Sequence, residues 1–228
     1  MDALAEELMQ EMNVKTSFTI PLFGGIPIPE SVFVTWIIIA VLAVLCFVFT
    51  RNLQVVPNTK RQIIVETAVE GMNRFFYGIL GEKGKPFIPL LEAMAIYIGF
   101  SNMIGLVGIT PPTKDLNVTA GLAIISIIMI EYAGVKVKGA KGFVKSFAEP
   151  MPLIAPINVL EVFIRPLSLC MRLFGNMLGG FVVMELIKLI VPVIVPIPFS
   201  FYFDVFDGLI QAYVFVFLTS LFIKESID

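Results

Sequence analysis

An all-α integral membrane fold is predicted by three features of the sequence. The chain has 228 residues, of which 57% are hydrophobic and only 15% charged, with a mean hydropathy of +0.92; a soluble domain carries about 25% charged residues. Its apolar residues fall into five runs, and a helix crosses a bilayer with about 20 of them. None of the runs shows the alternation of a transmembrane barrel, and lipid offers the backbone no partner outside a helix or a closed barrel. The whole chain, 1–228, reads as one membrane domain, with no internal repeat, low-complexity tract or second domain.

The first run, 31–50, holds no charge. Residues 1–30 read as an external N-terminal segment. Asp2, Glu6, Glu7 and Glu11 make it acidic, the reverse of a signal or transit peptide, so the helix is expected to be retained. Runs at 87–109, 117–134, 158–191 and 199–223 follow. Residues 58–80 mix Ile63, Ile64, Val69, Met72, Phe75 and Phe76 with Lys60, Arg61, Glu66, Glu70 and Arg74. That pattern fits an amphipathic helix on the inner membrane surface, and equally the cytoplasmic end of a long helix. The run 158–191 would make roughly 50 Å of helix, against a hydrocarbon core of about 30 Å. It must either break, with Pro166 the obvious place, or tilt beyond the usual ~20°.

Connector charges set the expected orientation. Arg51, Lys60, Arg61, Arg74, Lys83 and Lys85 lie in 51–86, and Lys136, Lys138, Lys141 and Lys145 in 135–155. The alternate connectors hold Lys114 and, in Pro192–Pro198, no charge at all. The positive-inside rule then puts the N-terminus outside and the C-terminus, with Lys224, in the cytoplasm. A multi-pass protein of a bacterial-type plasma membrane is expected.

Composition also removes function classes. There is no histidine, which excludes histidine triads, HExxH zinc sites and histidine-ligated haem. Cys46 and Cys170 lie in apolar runs and read as core residues. A net charge of −2 points to no nucleic-acid partner. No GxxxxGK[ST] loop occurs, so no nucleotide site is expected, and neither a metal nor a cofactor. The chain is expected to be no enzyme by itself.

Ionisable groups at membrane depth are costly and mark function by default. Here they are Glu92, Glu131, Glu161, Arg165, Arg172, Glu185, Lys188, Asp204 and Asp207. Glu161 and Arg165 stand four apart and can pair, as can Glu185 and Lys188, while Glu131 and Lys188 can snorkel from span ends. Arg172 has no acid three or four positions away. It shares a helix face with Ser168, Gly175, Asn176 and Gly179. Small residues admit a second helix, which is expected to bring a carboxylate to the arginine. An arginine attracts that carboxylate without itself relaying a proton. At 4 Å and a dielectric near 20 the attraction is about 4 kcal/mol, enough to release a proton and weak enough to reverse. Asp204, Asp207, Gly208 and Gln211 form a polar stripe on the last helix. Turn-counting places Asp204 at roughly the depth of Glu185, so three carboxylates gather in the outer half of the membrane, which fits an ion entry path and also a polar cap at the outer water interface.

In order, these residues resemble subunit a of the membrane sector of F-type ATP synthases. The hallmark is Arg165-Pro-Leu-Ser-Leu-Cys-Met-Arg-Leu-Phe-Gly-Asn-Met-Leu-Gly-Gly180. Pro112-Thr-Lys-Asp-Leu-Asn-Val-Thr119 and Phe206-Asp-Gly-Leu-Ile-Gln-Ala-Tyr-Val-Phe215 agree with it. The resemblance implies a stator beside a rotating ring of c subunits, with peripheral stalk subunit b and the other ATP synthase subunits as partners. Two half-channels would carry H⁺ or Na⁺ to the ring carboxylates. Arg172 matches the arginine that separates those half-channels and releases the ion. Asn176 and Gln211 match polar residues of the path, and Gly175 and Gly179 would face the c-ring. Gln211 is expected near Arg172, although turn-counting leaves it about two turns away. Steeply tilted long helices are a family feature, so the last two spans are expected to form such a hairpin. The chain departs from the pattern at Phe181, where many members carry Glu or His, and at Asp204, where Glu or His is common. Glu185 is expected to take over the first role. The alternative is a secondary transporter of a small anion, with Arg172 as substrate clamp.

Overall fold

The computed structural model describes residues 16–20, 26–51, 53–55, 59–147, 155–190 and 196–228. Asp2, Glu6, Glu7 and Glu11 of the acidic segment lie outside the described residues, as do 148–154 and 191–195 of the two later connectors. Among the described residues, five stretches are long and apolar enough to cross a membrane: Glu30–Thr50, Lys60–Val107, Leu116–Phe143, Ala155–Lys188 and Pro196–Ile227. The all-α architecture carries one small addition. Strands β1 (Thr16–Ile20) and β2 (Ile26–Pro29) pair antiparallel, with Ile20 opposite Ile26.

Helix α1 (Glu30–Thr50) begins directly after β2 and places Glu30 in its first turn, where a carboxylate suits the helix dipole. Trp36, Val44 and Phe47 are exposed on it. A helix apolar all round and uncovered by its own chain fits lipid rather than water. Helix α2 (Lys60–Gly84) is capped by Thr59, whose hydroxyl oxygen accepts from the Gln62 amide. Its Phe75 ring packs on Tyr213 and Phe217 of the last helix. Gly81, at φ 64°, breaks the backbone before α3 (Ile88–Met103) begins. Residues 60–84 are therefore a helix distinct from the third, not its straight continuation.

Helix α4 (Leu116–Ser146) is capped by Asp115, which accepts from the Asn117 amide at 2.9 Å, and turns at Gly139. Asp115 also accepts from Ser31 of α1 at 2.5 Å. Helix α5 (Ala155–Ile190) runs unbroken through Pro166, so of the two alternatives the break is absent. At 36 residues it is roughly 54 Å long. Helix α6 (Pro196–Ile227) contains a π-helical stretch, Phe201–Asp207. The core joins Leu91 and Ile98 of α3, Ile130 and Ala133 of α4, Leu173 of α5 and Ile223 of α6, all essentially inaccessible. Helix α6 packs against α2, α3 and α4, whereas α5 leans mainly on α4 and touches α6 at few places.

Candidate ion path along the last two helices

Among the described residues, cavities with charged side chains in their walls open at opposite ends of the α5–α6 pair. The larger, about 610 Å³, lies at the end where the chain passes from α5 to α6, the hairpin end. Glu185, Asp204 and Asp207 all line it, with Asn176, Lys114 and Lys188. The smaller, about 270 Å³, lies at the C-terminal or tail end. Glu131, Glu161, Arg165 and Glu225 line that one.

The register between the helices comes from two contacts. Asn176 Nδ2 donates a short hydrogen bond to the Asp207 carboxylate. Four residues further on, a Cβ on Gly180 would lie 3.3 Å from the Phe203 ring. Arg172 on α5 and Gln211 on α6 each follow one helical turn toward the tail end from Asn176 and Asp207. Asp204 and Glu185 border the same cavity, and helix α6 reaches back to Pro196, three residues before Phe199.

The polar stripe of α6 is divided by the π-helical turns. Asp204 accepts from Ser200 at 2.6 Å and lies over Gly105, where an added Cβ would meet its Oδ1 at 2.6 Å. Asp207 turns instead to Asn176 of α5. Gly208 faces α3, and a Cβ there would stand 2.9 Å from the Cβ of Asn102. Asn102 Nδ2 donates to the Gly208 carbonyl at 2.8 Å, and its Oδ1 accepts from Thr113 at 2.7 Å. Asn102 and Thr113 are wholly buried. They fix the carboxylate segment of α6 against α3 and the turn before α4. Asn102 was visible as an amide inside an apolar run; Gly105 carried no sequence signal for its contact.

On α5, Ser168, Arg172, Gly175 and Gly179 are exposed while Asn176 is half-buried. A Cβ at Gly175 or Gly179 would meet no atom within 4 Å. Among the described residues Arg172 has neither an ion pair nor a hydrogen bond, and it lines neither cavity. An arginine on an open face does not enclose a small anion, so the substrate-clamp alternative has no support. Lys188 pairs with Glu185 at 2.7 Å. Lys114 Nζ stands 3.5 Å above the centroid of the Phe181 ring, a cation–π contact at the position where the resemblance implies Glu or His. Glu92 keeps one buried carboxylate oxygen without a partner among the described residues.

At the tail end Arg165 donates to Glu161 at 2.6 Å and to Glu225 of α6 at 2.7 Å. Ser226 donates to the Ile130 carbonyl at 3.1 Å, tying α6 to α4.

Comparison with known proteins adds the family. Relatives include ATP synthase subunit a of Moorella thermoacetica, 36% identical over 207 residues that cover 89% of this chain and 92% of that protein. That of Citrifermentans bemidjiense is 38% identical over 87% of this chain and 88% of the relative. The sodium ion specific ATP synthase subunit a of Propionigenium modestum is 34% identical over 89% of this chain and 75% of the relative. With residues 32–224 also matching the family model described as ATP synthase A chain, this multi-pass membrane protein belongs to that family.

Proposed function

We propose that this chain is the ion-conducting stator subunit of an F-type ATP synthase membrane sector. It faces a rotating ring of c subunits, is held by peripheral stalk subunit b, and binds no nucleotide itself. The observation that carries the reading is the placement of Arg172. It stands on the open Ser168–Gly175–Gly179 face of α5, between a hairpin-end cavity reaching to Asn176 and a tail-end cavity reaching to Arg165. Those limits lie about 6 Å and 10 Å from it along the helix.

In this mechanism an ion, H⁺ or Na⁺, enters from outside at the hairpin end, past Glu185, Asp204 and Asp207. It loads a ring carboxylate that arrives opposite α5. After nearly a full rotation that carboxylate returns from the other side and meets Arg172. The guanidinium attracts the ionised form and so releases the ion toward the tail-end cavity, which opens to the cytoplasm. A fixed cation between the cavities bars direct ion passage, because it never gives up its own proton. Gln211, one turn from Asp207 as Arg172 is one turn from Asn176, supplies neutral polar contact at the crossing point. The orientation rests on the basic connectors, and it puts the N-terminus outside.

The test is Arg172→Ala in the assembled complex. ATP-driven ion uptake is expected to vanish while ATP hydrolysis by the soluble sector persists. Undiminished uptake in an assembled Arg172→Ala complex would overturn the reading. Activation of hydrolysis by millimolar Na⁺ would identify the ion as Na⁺.

A further inference from the structure

The tail-end cavity contains a carboxylate whose role the ion pairs around it do not account for. Arg165 is largely buried and is held by two salt bridges, to Glu161 of its own helix and to Glu225 of α6. Glu131 stands near enough to feel the Arg165 charge but makes no salt bridge with it. Glu131 lines the same cavity and has no ion pair or hydrogen bond among the described residues. The tie between α4 and α6 at this point does not use it either: Ser226 bonds to the backbone carbonyl of Ile130. The packing therefore holds Glu131 at the cavity wall through its neighbours and leaves its carboxylate uncommitted. Lys138 also lines the cavity, so three carboxylates face two cations there, with one negative charge in excess. Such an excess inside a low-dielectric wall draws a cation in.

We propose that Glu131 is a translocation residue of the tail-end path, the carboxylate that accepts the ion on its way between the Arg172 level and the water on that side. This rests on the reading of the two cavities as half-channels. Arg165, pinned by Glu161 and Glu225, keeps the cavity from collapsing onto Glu131 and is a positioning residue. Glu131 is suited to the task because, among the described residues, it is the acid of the cluster that makes no salt bridge, so binding a proton breaks no ion pair.

The experiment uses the assembled complex in inverted membrane vesicles, with Arg172→Ala as a parallel arm. Glu131→Gln preserves shape and removes the charge. ATP-driven ion uptake is expected to fall roughly tenfold, with normal incorporation of the subunit, and Glu131→Asp is expected to restore most of it. A second measurement places Glu131→Cys in a Cys46→Ser, Cys170→Ser background and adds a membrane-impermeant thiol reagent from the tail side. Labelling is expected, with Ile130→Cys, on the buried side of the same turn, unreactive. Unchanged uptake in Glu131→Gln, failure of that variant to assemble, or a Glu131→Cys thiol closed to the reagent would each overturn the proposal. If Arg172→Ala blocks uptake while Glu131→Gln does not, Glu131 alone loses its role. If Arg172→Ala leaves uptake intact, the half-channel reading fails first.

Discussion

Asn176 on α5 donates a hydrogen bond to Asp207 on α6. Together with the Arg165–Glu225 pair at the tail end, this contact ties two helices that otherwise meet sparingly. Because it pairs an amide with a carboxylate inside a membrane span, it is a strong constraint: the charged acceptor has few other donors to turn to. One turn away toward the tail end lie Arg172 and Gln211, which are expected to stand level. Spin labels are attached through paired substitutions in a background without Cys46 and Cys170. Labels introduced by Arg172→Cys with Gln211→Cys are expected to lie closer together than labels introduced by Arg172→Cys with Asp204→Cys. The axial offset of the second pair is roughly 10 Å. Distance measurement by electron spin resonance checks this, and the reverse order would break the register.

Gly105 predicts a functional defect with little loss of stability. A Cβ there would intrude on the carboxylate of Asp204, with its nearest oxygen at 2.6 Å. The obstructing atoms are the far end of a short rotatable side chain, so Asp204 can swing away instead of forcing the helices apart. In doing so it leaves Ser200, its hydrogen-bond donor. Gly105→Ala is therefore expected to cost less than about 1 kcal/mol of stability and to lower ATP-driven ion uptake several-fold. Normal uptake together with normal assembly would show that the position of Asp204 does not matter to the path.

What was legible in the sequence follows from which physics is local. Apolar length and the absence of charge are local, so α1 and the long α5 show directly in the residues that compose them. The Glu161–Arg165 and Glu185–Lys188 pairs are local too, since spacings of four and three on a helix bring side chains together, and both form. The pairing of Asn176 with Asp207 was not local, because it depends on how α6 packs against α5. Helix α6 also reaches back to Pro196, three residues earlier than the polar and apolar pattern suggested. Nor did a period of 3.6 anticipate the π-helical turns of Phe201–Asp207, which aim Asp204 at Gly105 and Asp207 at Asn176. Lys114 over Phe181 was equally invisible, because it depends on how the turn before α4 folds over α5.

Asn102 predicts the opposite profile to Gly105. It is wholly buried and bonds both Thr113 and the Gly208 carbonyl. Asn102→Leu removes both bonds and leaves the Thr113 hydroxyl without its acceptor. Unsatisfied buried groups cost about 1–3 kcal/mol, and the larger side chain adds overpacking where Gly208 already lies close. Thermal unfolding of the purified complex is expected to start several degrees lower, with less subunit incorporated. Asn102→Asp keeps an acceptor for Thr113 and loses the bond to Gly208, so it is expected to fall between. Equal stability of the leucine variant and the native chain would remove the clamp from the account of how α6 is held.

Lys188 predicts an electrostatic effect on entry that depends on salt. Its pair with Glu185 is half-exposed, and such pairs contribute at most about 1 kcal/mol, so Lys188→Gln is expected to leave thermal stability unchanged. It does change the cavity. The lining carries Glu185, Asp204 and Asp207 against Lys114 and Lys188. Removing one ammonium leaves two negative charges in excess instead of one and frees the Glu185 carboxylate to receive a cation. Entry from the hairpin end is then expected to quicken about twofold at low ionic strength, where opposite charges steer one another. The gain is expected to fade as salt shortens the screening length toward ~8 Å and below. Gradient-driven ATP synthesis at a limiting external ion concentration, followed across a salt series, measures it. A rate in Lys188→Gln that is lower than native, or indifferent to salt, would mean that the ammonium takes part in the path instead of opposing the ion that enters it.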